Sequence, residues 1–335
     1  MIPRTPRVMH ASAWQAALAA AVRDPLELLT LLELPRELAP AASAAAAQFP
    51  LRVPRGYLAR MEKGNPHDPL LRQILPLSEE LRPQRGFVTD PVGDLDAMAA
   101  TGVLHKYHGR ALLVTTGACA VHCRYCFRRH FPYSEAHAGT EHWTAALDYL
   151  RADTSIHEVI LSGGDPLSLG NGRLHELMTR IGAIDHVRRL RIHTRQPIVL
   201  PERVDAELLR CLRNYRLPVV VVVHCNHPNE IDAAVCTALG ELRGCIASLL
   251  NQSVLLRRVN DDSSTLAGLS ETLFRAGVLP YYLHLLDPVA GAGHFAVAEA
   301  EARALLGALR ARLPGYLVPQ LVRERRGAPS KTPLV

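Results

Sequence analysis

The chain has 335 residues, 48% of them hydrophobic and 21% charged, enough to bury a core in one large domain or in one domain with an appendage. Its basic residues are spread along the whole length, so the net charge of +6 describes a solvated, arginine-rich surface and singles out no polyanionic partner. Only Lys63, Lys106 and Lys331 among the 38 basic residues are lysine, and seven cysteines, an odd number in a chain of this size, argue against a disulfide framework.

The first 25 residues have the basic head and apolar stretch of a secretory signal, but His10, Ser12 and Gln15 interrupt the apolar part. Their alanine spacing predicts an amphipathic helix that continues into "DPLELLTLLELP". The longest apolar run elsewhere, "LPVVVVV" at 217–223, is far too short to span a bilayer, so a cytoplasmic protein is expected, with no membrane partner. Helical segments reach about residue 62, and a proline- and charge-rich run follows with no catalytic pattern. Residues 1–108 are therefore read as a helical cap with an extended connection, and 109–335 as the main domain.

From about residue 110 the pattern alternates. "ALLVTT", "HEVILSGG", "RLRIHT", "LPVVVVVHC", "IASLLNQSVLL" and "LPYYLHLL" read as strands, and stretches such as "HWTAALDYLRA" and "TLAGLSETLFRAG" between them carry apolar residues at helical spacing. About six β/α units predict an α/β fold with a parallel sheet curled into a partial barrel of the (β/α)6 type. In such folds function collects at the C-terminal ends of the strands, where "SGGDP", "HTRQP", "HCNHPNE" and "LLDP" fall.

Behind the first strand stands "CAVHCRYC", with Cys119, Cys123 and Cys126 at spacings of four and three. Three thiolates can hold three irons of a 4Fe-4S cluster and leave the fourth iron open to a ligand. A zinc site completed by His122 or His130, in a basic module that touches nucleic acid, is the rival from another class. It is disfavoured because zinc fingers pair their ligands as two separated dyads. CxxxCxxC after a first strand resembles the signature of the radical S-adenosylmethionine (SAM) superfamily. That resemblance implies that the open iron takes the methionine part of SAM, and that the "SGGDP" motif, Gly163, Gly164 and Asp165, meets the SAM amino group.

The remaining motifs widen the resemblance. "LRVPRGYLARMEKGNPHDPLLRQIL", "GVLHKYHGRALL", "CAVHCRYCFRRHFPY", "SGGDPL", "RLRIHTRQPIVLPERV", "HCNHPNEID", "LLNQSVLLRRVNDD", "PYYLHLLDPVAGAGHF" and "PSKTPL" together resemble the lysine 2,3-aminomutase family, in particular its short bacterial branch, over nearly the whole chain. The resemblance implies two cofactors beyond the cluster, SAM and pyridoxal 5′-phosphate (PLP). Lys331 matches the lysine that carries PLP, Tyr107 and Arg110 the residues at its phosphate, and His224 and Gln252 positions at the adenosyl group. Arg128 matches the arginine that binds the substrate carboxylate. Asp287 and Glu324 match the acids that receive the ε-ammonium, Glu324 standing where longer relatives typically carry Asp.

The implied reaction moves the amino group of L-lysine from C2 to C3. The implied partners are a flavodoxin- or ferredoxin-like electron donor, a β-lysine ligase and elongation factor P, with no direct binding of nucleic acid. An aminomutase acting on glutamate or arginine is the alternative enzyme. The chain stops four residues after Lys331, so the zinc-bearing extension of longer relatives is not expected.

Overall fold

The computed structural model describes residues 12–136 and 143–335. Among these residues ten strands form one sheet in which each strand lies beside its chain neighbours. β1 (Met98–Ala100), β2 (Val103–Tyr107) and β3 (Arg110–Thr116) make an antiparallel meander. From β3 the sheet runs parallel through β4 (Glu158–Gly163), β5 (Arg189–Thr194), β6 (Val219–His224), β7 (Ser248–Leu255), β8 (Leu279–Leu285) and β9 (Gln320–Arg323). β10 (Thr332–Pro333) returns antiparallel to β9. Because spatial order follows chain order, every crossover turns the same way and the sheet curls instead of winding outward from its middle. The result is the expected partial barrel, with β3 to β8 as the six predicted strands.

The helices between these strands are amphipathic. Leu174, Leu177, Met178 and Ile181 of the helix Asn171–Gly182 fall on one face and are buried. Along β7, Leu249, Asn251, Ser253 and Leu255 are buried on one side, while Leu250, Gln252 and Val254 alternate to the other. In a closed barrel the inward positions are filled by branched apolar side chains. Here they are Ile160, Ser162, Arg191, His193, His224, Gln252, Tyr282 and His284, and they line a cavity.

The N-terminal segment departs from its expectation. In place of one continuous helix the chain forms two, Ala13–Ala19 and Pro25–Leu31. Pro25 has no N–H to continue a helix, and Asp24 caps a new one by accepting from the amides of Leu26 and Glu27. Between them Val22 pairs with Val53. Trp14, Leu28, Leu29 and Tyr57 share one hydrophobic core with the barrel strands and their helices, and the sheet itself begins at Met98. Residues 1–11, the head of the signal-like stretch, lie outside the described residues. Among the described residues no helix is long and apolar enough to cross a membrane.

Candidate active site

The cysteine loop leaves the end of β3 and is anchored from below. The guanidinium of Arg124, wholly buried, donates to both carboxylate oxygens of Glu80 (2.8 and 2.6 Å), and Arg129 donates to the same Glu80 (2.7 Å). Arg128 is buried too, paired with Asp94 through Nε (2.6 Å). These three arginines are turned inward onto two carboxylates instead of joining the solvated surface. His122 and His130, the possible extra zinc ligands, each have a ring nitrogen on a backbone carbonyl, of Pro50 (2.8 Å) and Ala290 (3.0 Å) respectively.

Cys119, Cys123 and Cys126 face the cavity, which has a volume of about 310 Å³. Burial and neighbouring negative charge, from Asp165 and the other cysteines, push the Cys119 thiol well above its ordinary value, and burial with Cys123 pushes Cys126 up to about 11. Three half-buried thiolates this close together are stable only against a cation, which iron would supply as it displaces their protons. No trio of acidic, His or Cys side chains among the described residues surrounds a single ion, whereas a cubane takes one cysteine per iron. Arg195 adds a second positive group at this end. Its Nη1 lies 2.7 Å from Cys123 Sγ, and its Nη2 is held by Gln73 (2.7 Å) and Glu230 (2.9 Å).

"SGGDP" has a structural duty that the sequence left unstated. Gly163 has φ +119°, and a Cβ there would stand 2.7 Å from the Thr116 carbonyl oxygen; one on Gly164 would overlap the Ala118 carbonyl. The glycines thus let β4 press against the backbone that enters the cysteine loop. Asp165 accepts from the Thr194 hydroxyl (2.7 and 2.9 Å) and from the amides of Leu167 (3.0 Å), Arg195 (2.7 Å) and Gln196 (3.2 Å), which ties the end of β4 to the end of β5. Both of its oxygens are occupied by the protein.

On the far wall, His224 and Gln252 stand opposite each other across β6 and β7, with Gln252 donating Nε2–H to His224 Nε2 (2.9 Å). Burial, with Arg195 and Lys331 nearby, lowers the His224 ring to about 3, so it is a neutral acceptor. At the β2–β3 turn, Gly109 at φ +75° lets Tyr107 face Arg110 directly, with the guanidinium 4.7 Å over the ring. The buried Tyr107 hydroxyl leans toward the Glu324 carboxylate without a hydrogen bond of good geometry, and burial together with that carboxylate pushes it upward. A weakly held donor beside a guanidinium fits an anionic group such as a phosphate.

Lys331 completes the site from the opposite end of the chain. Its Nζ lies 2.8 Å from Glu324 Oε2, while Glu324 Oε1 receives Lys106 Nζ at 3.0 Å. Burial would raise Glu324, but the two ammonium groups hold it well below the usual carboxylate range. Asp287, just past β8, is the reverse case. Its Oδ1 is buried without a partner, and burial plus Glu324 lift the carboxyl up to about 7. Apart from His122 and His130, every residue singled out from sequence as a site candidate thus lines this one cavity. Asp94, Lys106 and Arg195 line it as well and were missed. The connection before β1, read as carrying no catalytic pattern, supplies Asp94, and the signal for Lys106 was its rarity in an arginine-rich chain.

An open parallel barrel whose first strand delivers three cysteines to a polar lumen defines a radical SAM enzyme, and the model of the radical SAM superfamily matches residues 113–238. The chain is 51% identical to the L-lysine 2,3-aminomutase of Escherichia coli (strain K12), over 96% of this chain and 94% of that one. It is 46% identical to the L-lysine 2,3-aminomutase of Haemophilus influenzae, over 99% and 98%. A solved radical SAM methyltransferase from Sphaerobacter thermophilus is similar at 22% identity and a TM-score of 0.45, covering 66% of this chain and 68% of that one. The chain belongs to the L-lysine 2,3-aminomutase family. It is an isomerase of the aminomutase type, and membership implies a 4Fe-4S cluster, SAM and PLP as cofactors.

Proposed function

We propose that the protein converts L-lysine to β-lysine in a PLP-dependent reaction, and that the product serves the modification of elongation factor P in the cytoplasm. The observation that carries this reading is the convergence on one cavity of three cysteines, an amine at Lys331, a guanidinium at Arg128 and the carboxylates Glu324 and Asp287. When bound, the cofactors supply a carbon radical able to take an unactivated hydrogen from C3, and a carbonyl carbon that carries the migrating nitrogen.

The rest falls to the chain's own residues. Cys119, Cys123 and Cys126 hold the cluster, and Gly163 and Gly164 shape the floor beside it, with Asp165 bracing that floor. His224 and Gln252 present hydrogen-bonding groups to the adenosyl end. Lys331 tethers PLP, whose phosphate takes the Tyr107 hydroxyl and the Arg110 guanidinium. Arg128 uses Nε on Asp94 and Nη1 on the Ser162 hydroxyl (3.2 Å), which leaves Nη2 for the substrate carboxylate. In the ligand-free chain the Lys331 ammonium sits on Glu324, where the ε-ammonium of lysine would bind once Lys331 is engaged elsewhere, with the unpartnered Asp287 beside it.

Two distal carboxylates disfavour glutamate as the substrate, whose own carboxylate they would repel. Arginine, a cation, is the second reading. The test is anaerobic reconstitution with iron, sulfide and PLP, then dithionite, SAM and either L-lysine, L-arginine or L-glutamate, with chromatography of the products. β-Lysine that requires every addition is expected. 5′-Deoxyadenosine without β-lysine would retain the radical chemistry and remove L-lysine as substrate. The electron donor, flavodoxin- or ferredoxin-like, would replace dithionite, and a β-lysine ligase would pass the product to elongation factor P.

A further inference from the structure

Arg128 and Glu324, the groups proposed to hold opposite ends of the substrate, are joined by two residues that touch neither end. Asp94 receives Arg128 Nε on Oδ2 and Lys106 Nζ on Oδ1, both at 2.6 Å. Lys106 Nζ in turn contacts Glu324 Oε1 at 3.0 Å and donates to the Val92 carbonyl at 2.8 Å. An ammonium has three hydrogens, and these three acceptors use them all. Lys106 therefore has no donor left for a ligand, and neither Asp94 oxygen lacks a cation. The pair is a closed node. Both side chains are well buried, at 3% and 16% exposed, where ion pairs are weakly screened and hold their geometry.

The four residues come from separate parts of the chain: Asp94 precedes β1, Lys106 lies in β2, Arg128 follows the cysteine loop and Glu324 follows β9. Gly93, at φ +67°, bends the segment so that the Val92 carbonyl and the Asp94 carboxylate both face Lys106.

We propose that Asp94 and Lys106 form a strut that sets the distance between Arg128 and Glu324, and so selects the length of the diamino acid that fits between them. The proposal rests on the reading of Arg128 and Glu324 given above. Both are positioning residues, acting through the two that meet the substrate.

A strut and a mere source of charge make different predictions. Loss of charge beside Glu324 weakens every ammonium ligand alike; loss of the strut blurs the discrimination between lengths. One methylene in a fitted site is worth roughly 10- to 200-fold. The measurement is a titration of the PLP-loaded protein with L-lysine and with L-ornithine, one methylene shorter, read from the ligand-induced change in PLP absorbance without SAM. Wild type, Lys106→Met, Asp94→Asn and the double variant are compared at equal iron and PLP content.

The strut predicts that the ornithine-to-lysine ratio of dissociation constants falls about tenfold in each single variant, with no further fall in the double. Lys106→Arg, which can still bridge two carboxylates, keeps most of the wild-type ratio. An unchanged ratio in Asp94→Asn, with both ligands weakened equally or not at all, would overturn the proposal. Should Lys106→Met lose its iron or PLP on purification, the isosteric Asp94→Asn carries the same test. Wild-type protein that binds neither ligand, and makes no β-lysine, would instead sink the reading of Arg128 and Glu324, and the strut with it.

Discussion

Lys331 and Asp287 show how far single side chains depend on what surrounds them. Lys331 was legible through its motif "PSKTPL" and its family resemblance, and its chemistry fits, since a primary amine can condense with an aldehyde and arginine cannot. Lys331→Ala should abolish the PLP absorbance while leaving iron and sulfide at wild-type stoichiometry; a PLP spectrum that survives would assign the tether elsewhere. Asp287 was found from its motif, but its chemical state follows from burial and Glu324. Its ordinary value of 3.8 rises to about 7 in the folded chain. Between about 4 and about 7 the ligand-free protein therefore keeps a proton that the unfolded chain has lost, so this group's contribution to stability is fullest at the acid end and declines as pH rises through 7. Asp287→Asn should exceed wild type in melting temperature by several degrees more at pH 8 than at pH 5. Equal differences at the two pH values would show that the carboxyl is not held up. The same titration should weaken L-lysine binding below pH 7 in wild type, and Asn at 287 should flatten that dependence.

At the level of elements, periodicity located the strands and most helices well, because each must bury one face and that demand is written every second or every third to fourth residue. β1, β2, β9 and β10 escaped notice. At two to five residues they are too short to show a period. The N-terminal helix was overextended because alanine spacing outweighed the stop signal of Asp24–Pro25. The junction between β4 and the cysteine loop is the element-level feature with the sharpest consequence. A methyl group at Gly164 would overlap the backbone carbonyl of Ala118, the residue before Cys119, and backbone cannot swing aside as a side chain can. Gly164→Ala should thus cost about 1–3 kcal/mol through overpacking. It should also lower the iron and sulfide retained after reconstitution, although no ligand atom has changed. Full iron content with unaltered stability would mean that the loop has room to move.

Over the whole molecule, the site is assembled from segments far apart in the chain. Asp94 and Lys106 come from the N-terminal side, the cysteines from the loop after β3, and Glu324 and Lys331 from the last strands. Ligands held between Tyr107, Arg110 and Arg128 on one side and Glu324 and Lys331 on the other cross-link the sheet edge at β1 and β2 to that at β9 and β10, which are not paired in the strand order. Hydrogen exchange should accordingly slow in residues 88–107 and 320–334 when PLP, SAM and L-lysine are bound together, and more than with PLP alone. Protection confined to the cysteine loop would contradict this closure.

The sequence by itself determined the parallel barrel and the cysteine triad, because periodic burial and the spacing of ligands along one loop are local properties of a chain, and its motifs carried the family resemblance that implies PLP at Lys331. It could not determine that Asp94 and Lys106 join Arg128 to Glu324, that Asp165 spends its carboxylate inside the protein, or that Arg124 and Arg129 are buried on Glu80. Those are contacts between residues separated by 12 to more than 200 positions. No period or short spacing encodes them. Only the folded chain decides which charges meet, since an ion pair is defined by distance in space and by the water that burial has removed.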